Sequence, residues 1–289
     1  MYNIGVHALI VNADDLGRTP GVSEGILRAY RDGIVSSTTV MVNLPGAEET
    51  VRRAREAAPR LGIGIHLNLT AGPPVLPPQA IPSLVGRDGW FYPIHAFVNR
   101  LAALDLEQVR AELTAQIERF RAWGGEPTHL DAHHHAPYLA PRLFEVLAGL
   151  AARYGLPIRY PWPREAVGAD ELARLAQAHR LPPEALPAVV AGCRAIFDEC
   201  DLRAPDRCLL SFYGSGATLE HLLELIAGLP EGVSELMTHP GLADADLVAQ
   251  SGYAGQREQE LAALTDPRAR EALAAAGVRL ASFAVLEEG

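Results

Sequence analysis

HALIVNADDLG, residues 7–17, begins as a short apolar run and stops on two adjacent carboxylates followed by glycine. The run has the length of a buried strand and is far too short to span a bilayer, so it reads as a strand opening into an acidic loop. GVSEGILRAYRDG (21–33) then places apolar residues at helical spacing, which completes a strand, loop and helix. The unit recurs: SSTTVMVN (36–43) is β-branched, AEETVRRAREAAPRLG (47–62) is helical, and GIGIHLNLT (62–70) alternates as a strand does.

Farther along, the proline-rich GPPVLPP (72–78) and IPSL (81–84) exclude regular structure. Helical periodicity spans 106–122, and PTHLDAHHH (127–135) is the fourth strand candidate. A helix over about 141–154 leads to LPIRYPW (156–162), and 168–200 reads as two helices broken by LPPEALP. RCLLSFYG (207–214), a helix in TLEHLLELIAGLP, VSELMTHPG (233–241), two helices within about 254–276 and a closing strand VRLASFAV (278–285) finish the chain. The eight strand candidates alternate with helices without a linker-like break. The expectation is an α/β fold, a TIM-like and distorted (β/α) barrel, with residues 1–289 as a single domain.

Where the polar residues fall favours a barrel over an open doubly wound sheet. Asp14 and Asp15 follow the first strand, Asn43 ends the second, and His66 and Asn68 close the third. Asp131 and His133 close the fourth, and His239 the penultimate one. Function gathers at these C-terminal strand ends in (β/α) barrels. A Rossmann sheet would need GxGxxG after a strand, and none is present.

Composition excludes several classes of function. The formal net charge is −10, with no basic stripe, so nucleic acid is not an expected partner. All 25 basic residues are Arg, which removes lysine Schiff-base chemistry and a P-loop lysine. Cys193, Cys200 and Cys208 lack metal-site spacing and read as small buried residues. No signal-like or membrane-spanning stretch appears, and a cytoplasmic enzyme with no membrane partner is expected. The apolar SFAVL near the C-terminus serves either barrel closure or a homodimer face, closure being the expectation.

Strand alternation puts His66 and Asn68 on one face, and His129, Asp131 and His133 on one face of their strand. Two imidazoles and a carboxylate, with positions left for water, make a catalytic rather than a closed structural metal site. An isolated histidine on an apolar strand is more often a packed core residue, which is how His129 reads. Three consecutive imidazoles have no cheap packing explanation. The Asp14 and Asp15 pair has a second reading as a helix cap.

NADDLG, GIVSSTTVMVN, LGIGIHLNLTAGPP, PTHLDAHHH and ELMTHPG, in this order, resemble the motifs of the YdjC-type carbohydrate deacetylases, the chito-oligosaccharide deacetylase-like proteins distantly related to NodB-type polysaccharide deacetylases. The resemblance covers essentially the whole chain. It implies a divalent metal held by Asp15, His66 and His133, with Asp14 as general base and His239 as general acid. The substrate implied is a small N-acetylated sugar or oligosaccharide, deacetylated by metal-activated water. The resemblance suggests Mg²⁺, while the ligand types favour Zn²⁺ or another first-row ion. Asn68, Asp131, Phe212 and Tyr213 are expected at the substrate. Trp90, Phe91 and Tyr92 are further aromatics that either stack on a sugar ring or plug the barrel mouth. The competing readings are a metal-dependent hydrolase of another amide or of a phosphoester, and a non-catalytic sugar-binding barrel.

Overall fold

The computed structural model describes residues 7–164, 175–177 and 181–287. The first of the two helices expected in 168–200 therefore lies mostly outside the described residues. In chain order the strands are β1 (His7–Leu16), β2 (Ser37–Val40), β3 (Gly62–Leu67), β4 (Leu130–Ala132), β5 (Arg207–Leu209), β6 (Gly232–Thr238) and β7 (Arg279–Ala281). The helices are α1 (Pro20–Asp32), α2 (Ala47–Ala57), α3 (Ile94–Val98), α4 (Leu106–Ala122), α5 (Pro141–Tyr154), α6 (Leu186–Glu199), α7 (Leu219–Ala227), α8 (Ala245–Gln250), α9 (Gly255–Thr265) and α10 (Pro267–Ala275). Parallel strands alternating with helices make this an α/β fold of the distorted (β/α)-barrel type.

Two compact units divide the chain. The first comprises residues 1–41, 45–64 and 204–289. Within it β1 is the central strand and pairs along one edge with β6, from His7 to Ala13, while β6 pairs in turn with β5. The other edge of β1 is shared. β7 takes Ala8–Ile10, and β2 takes the residues from Asn12 onward. A strand has only two edges, so this division is where the sheet departs from regular barrel order.

The closing strand is shorter than expected, because the chain leaves β7 for a 3₁₀ turn at Phe283–Glu287. Phe283 and Leu286 there pack with Ala8, Ile10, Val233 and Ala281 in one apolar cluster. Most of the SFAVL segment therefore serves the interior of its own unit.

The second unit comprises residues 42–44 and 65–203. Its strand pair is β4 with the end of β3, in a parallel register that sets His66 beside Asp131. Helix α4 buries Val109, Leu113, Ile117 and Phe120 as its apolar face, and α5 buries Leu143, Phe144, Leu147 and Leu150.

The expected strand LPIRYPW is not one. It makes a single bridge, Ile158 to Leu130. Pro157, Pro161 and Pro163 have no N–H to give, so a ladder cannot extend on either side of it.

No helix among the described residues is long and apolar enough to cross a membrane. Cys193 is buried as expected, and burial pushes its thiol up to about 12, whereas Cys200 and Cys208 are only half-buried, which corrects the expectation for those two.

Candidate active site

In the first unit the end of β1 is bulged. Its register with β2 shifts between Ala13 and Leu16, and Asp15 takes a left-handed backbone, φ 75°. A bulge re-aims the side chains around it, and Asp is among the residues that tolerate this conformation. Asp14 and Asp15 are both buried. Neither caps α1, because Thr19 does so by accepting from the Val22 N–H.

The two acids have different neighbours. Asn12 Nδ2 donates to Asp14 Oδ1 at 2.8 Å and reaches Thr39 Oγ1 at 3.3 Å. Asp15 Oδ2 receives the Arg257 guanidinium and has Arg18 at 3.6 Å. Burying a carboxylate is tolerable only with such compensation.

His239 follows directly on β6, and its imidazole lies between two acids. Nε2 is 3.7 Å from Asp14 Oδ2, and Nδ1 is 4.0 Å from Glu260 Oε1. The His239 N–H also donates to Glu260 Oε2. The loop after β6 sits tightly on α1, since a Cβ at Gly25 would lie 2.4 Å from the Gly241 Cα. Only glycine permits that approach.

Glu260 is fully buried on α9, and desolvation raises its carboxyl to about 7 against the hydrogen bonds from His239 and Tyr253 and the charge of Arg257. Beside it, burial and then the charge of Glu260 raise the Tyr253 hydroxyl.

In the second unit β4 stops at Ala132, and His133–Leu139 form a 3₁₀ turn. His134 and His135 within it have φ of 55° and 52°, so the strand alternation read from the sequence ends at His133. His66 Nδ1 lies 2.6 Å from Asp131 Oδ1, and the other Asp131 oxygen lies 3.0 Å from Arg159. Asp131 therefore holds the Nδ1 proton of His66 and directs the Nε2 lone pair away from itself, the arrangement that orients imidazole ligands in metal sites.

His66 Nε2 faces His133 Nδ1 at 3.3 Å. Two nitrogens at about 2.0–2.1 Å from one tetrahedral ion would stand roughly 3.3 Å apart, so this pair fits a divalent cation. The adjacent His134 ring lies 3.9 Å from that of His133, and its Nδ1 is 2.9 Å from Thr70 Oγ1.

The remaining sequence candidates have definite places. Asn68 is fully buried and joins Asn43 Oδ1 at 3.0 Å, the Ala71 carbonyl at 2.6 Å and the Thr70 N–H at 2.9 Å. Phe212 is fully buried, whereas Tyr213 beside it is 47% exposed. Tyr213 stacks on Tyr253 at 4.3 Å and meets the His239 ring at 5.4 Å. Trp90 is 56% exposed and Phe91 is buried. His129 is fully buried beside Thr128, 2.9 Å from its hydroxyl, as its core reading requires.

Sequence reasoning missed Arg159, Tyr253, Arg257 and Glu260. For the last two a signal existed, because Arg257, Glu260, Leu261 and Leu264 repeat at the i, i+3, i+4, i+7 spacing of a buried helix face. Charged residues at such positions mark compensated charges inside the protein.

Residues 8–275 match the YdjC-like protein family. A carbohydrate deacetylase of Geobacillus stearothermophilus is 38% identical over 275 residues, covering 95% of this chain and 96% of the relative. A chitooligosaccharide deacetylase of Salmonella paratyphi B is 34% identical, with coverage of 95% and 97%. Among solved structures, one from Enterococcus faecalis V583, described as a candidate cellobiose-phosphate cleavage protein, superimposes with a TM-score of 0.81 at 33% identity, covering 96% of this chain and 98% of that one.

Proposed function

The chain belongs to the YdjC-like protein family, and from that premise we propose that it is a metal-dependent deacetylase that hydrolyses the acetamide of an N-acetylated sugar or oligosaccharide, working as one catalytic domain. The observation that carries the reading is the His66 and His133 pair, with nitrogens 3.3 Å apart and the first ring held from behind by Asp131. A packed core histidine needs no carboxylate and arginine behind it.

In this reading Asp15, His66 and His133 hold one divalent ion. Two imidazoles and a carboxylate favour zinc or another first-row metal over magnesium, which prefers oxygen. When bound, such an ion supplies Lewis-acid polarisation of a carbonyl and acidifies water.

The protein's own groups do the rest. Asp14 takes a proton from the attacking water as its oxygen bonds to the acyl carbon. His239 delivers a proton to the nitrogen as the carbon–nitrogen bond breaks, releasing acetate and a free amino sugar. Asp14 Oδ2 lies 3.7 Å from His239 Nε2, so the proton acceptor and the proton donor stand side by side. The half-exposed Tyr213 ring offers an apolar face for a sugar ring.

The decisive experiment incubates the purified protein with N-acetylated mono- and disaccharides, with and without chelator, and assays released acetate. Acetate that vanishes with chelator and returns with added metal is the expected result. Phosphorylated disaccharides belong in the same panel, and release of phosphate or cleavage of the glycosidic bond without acetate would replace deacetylation by another hydrolysis. Elemental analysis of protein purified without added ions tests the preference for a first-row metal.

A further inference from the structure

Glu260 belongs to none of the motifs that carry the family resemblance, yet it ties two functional segments to one helix. Its Oε2 accepts the His239 N–H, and its Oε1 accepts the Tyr253 hydroxyl at 2.6 Å. The same hydroxyl accepts the Gly214 N–H at 2.9 Å. Gly214 adjoins Tyr213, whose ring stacks on that of Tyr253 at an interplanar angle of 8°.

One buried carboxyl thus fixes the residue read as the proton donor and, through a tyrosine, the aromatic face beside it. Burying a carboxyl is expensive, and a neutral residue would pack an ordinary helix more cheaply. What a neutral side chain cannot do is accept two donors on two separate oxygens while placing negative charge near Nδ1 of an imidazole. Glutamine offers one acceptor oxygen and aliphatic residues offer none.

We propose that Glu260 is a positioning residue for His239 and for the Tyr213 face, holding the proton donor and a sugar-stacking surface in fixed relation; this rests on the deacetylase reading, in which His239 gives a proton to the leaving nitrogen. The charged and titratable groups around the pair are Asp14 from β1, His239 from the end of β6, Arg257 from α9, and Tyr213 and Tyr253.

Two variants separate the arms. Glu260→Gln keeps one acceptor for the His239 N–H but removes the charge. Its kcat should fall roughly 10- to 100-fold with KM within about twofold, the size of effect seen when an orienting partner is lost. Tyr253→Phe leaves the His239 backbone N–H on Glu260 and keeps a ring against Tyr213, but removes the acceptor that holds the Gly214 N–H beside it. Its KM should rise several-fold with kcat nearly unchanged.

Independently of activity, NMR of the ¹⁵N-labelled histidine rings should show a different His239 titration in Glu260→Gln than in the wild type, since the side chain 4.0 Å from Nδ1 no longer gains a charge as pH rises through neutrality. Identical His239 titrations in both proteins, or equal losses of kcat and KM performance in the two variants, would overturn the proposal. Should Glu260→Gln fail to fold, a Tyr253→Phe enzyme with unchanged KM would overturn it as well. If the wild type releases acetate from no N-acetylated sugar, the deacetylase reading fails, and the His239 titration alone decides whether Glu260 positions that ring.

Discussion

His66 Nδ1 and Asp131 Oδ1 are 2.6 Å apart in the interior of the second unit, and this contact selects which nitrogen of His66 can bind anything else. Asp131→Ala would free the ring to rotate and change tautomer. Affinity for zinc, measured by titration calorimetry, should fall about 10- to 100-fold. Arg159, fully buried against Asp131, would lose its countercharge, and breaking such a pair destabilises by about 3–5 kcal/mol. Urea denaturation of the metal-free protein tests the second effect separately. Unchanged zinc affinity in a folded variant would remove Asp131 from the site.

Asp14 and His239 form the acid–base pair of the proposed reaction, and neither is assigned to the metal. Asp14→Asn and His239→Gln should each lower kcat by about 10²- to 10⁴-fold while retaining full zinc stoichiometry. Loss of the metal from either variant would move that residue from proton transfer to ligation. Full activity with metal retained would leave it without a role.

How much of this was legible in the sequence depended on the range of the interactions involved. β1 was readable because an apolar run that stops on two acids carries its own signature, and the adjacent motifs located His66, His133 and His239 by the same local logic. The HHH stretch was readable only up to its first member. Backbone dihedrals of 55° and 52° at His134 and His135 are imposed by the turn into Pro137 and α5, and no alternation rule anticipates them. Asp131 was assigned to the substrate because nothing local announces Arg159, which is 28 positions away and reached through the proline-broken segment at Ile158. For Glu260 the helix spacing marked a buried face, but its partners were not legible, since His239 and Tyr253 come from outside its own helix.

Glu112 carries a prediction about the rim of the second unit. It is fully buried on α4 and accepts the Val75 and Leu76 N–H groups at 2.8 and 2.9 Å, fixing the proline-rich segment that follows Asn68. Gln116, which donates to Glu112 at 2.9 Å, also bonds the Asn68 backbone on both its N–H and its carbonyl. Glu112→Ala would strand two half-buried backbone donors, for which the cost of about 1–3 kcal/mol of a fully buried group is an upper bound. A drop of that order in unfolding free energy is expected, together with faster proteolysis within residues 71–78. Wild-type stability in the variant would mean that the segment is held by other contacts.

The pH dependence of stability follows from Glu260. Its folded carboxyl lies near 7, well above the ordinary value of 4.5, with desolvation as the main cause. The native state therefore holds this proton over a range in which the unfolded chain has released it, and linkage requires stability to decline as pH rises from about 4.5 to about 7. Each unit of such a difference corresponds to about 1.4 kcal/mol, so the contribution is a few kcal/mol at most. Glu260→Gln cannot titrate and should lack this decline. Relative to the wild type, its melting temperature should be more favourable at pH 8 than at pH 5, with both proteins stripped of metal so that ligand binding does not enter. A difference that is flat between the two pH values, or of opposite sign, would mean that Glu260 is already ionised throughout, held so by Arg257 and the two donors on its oxygens.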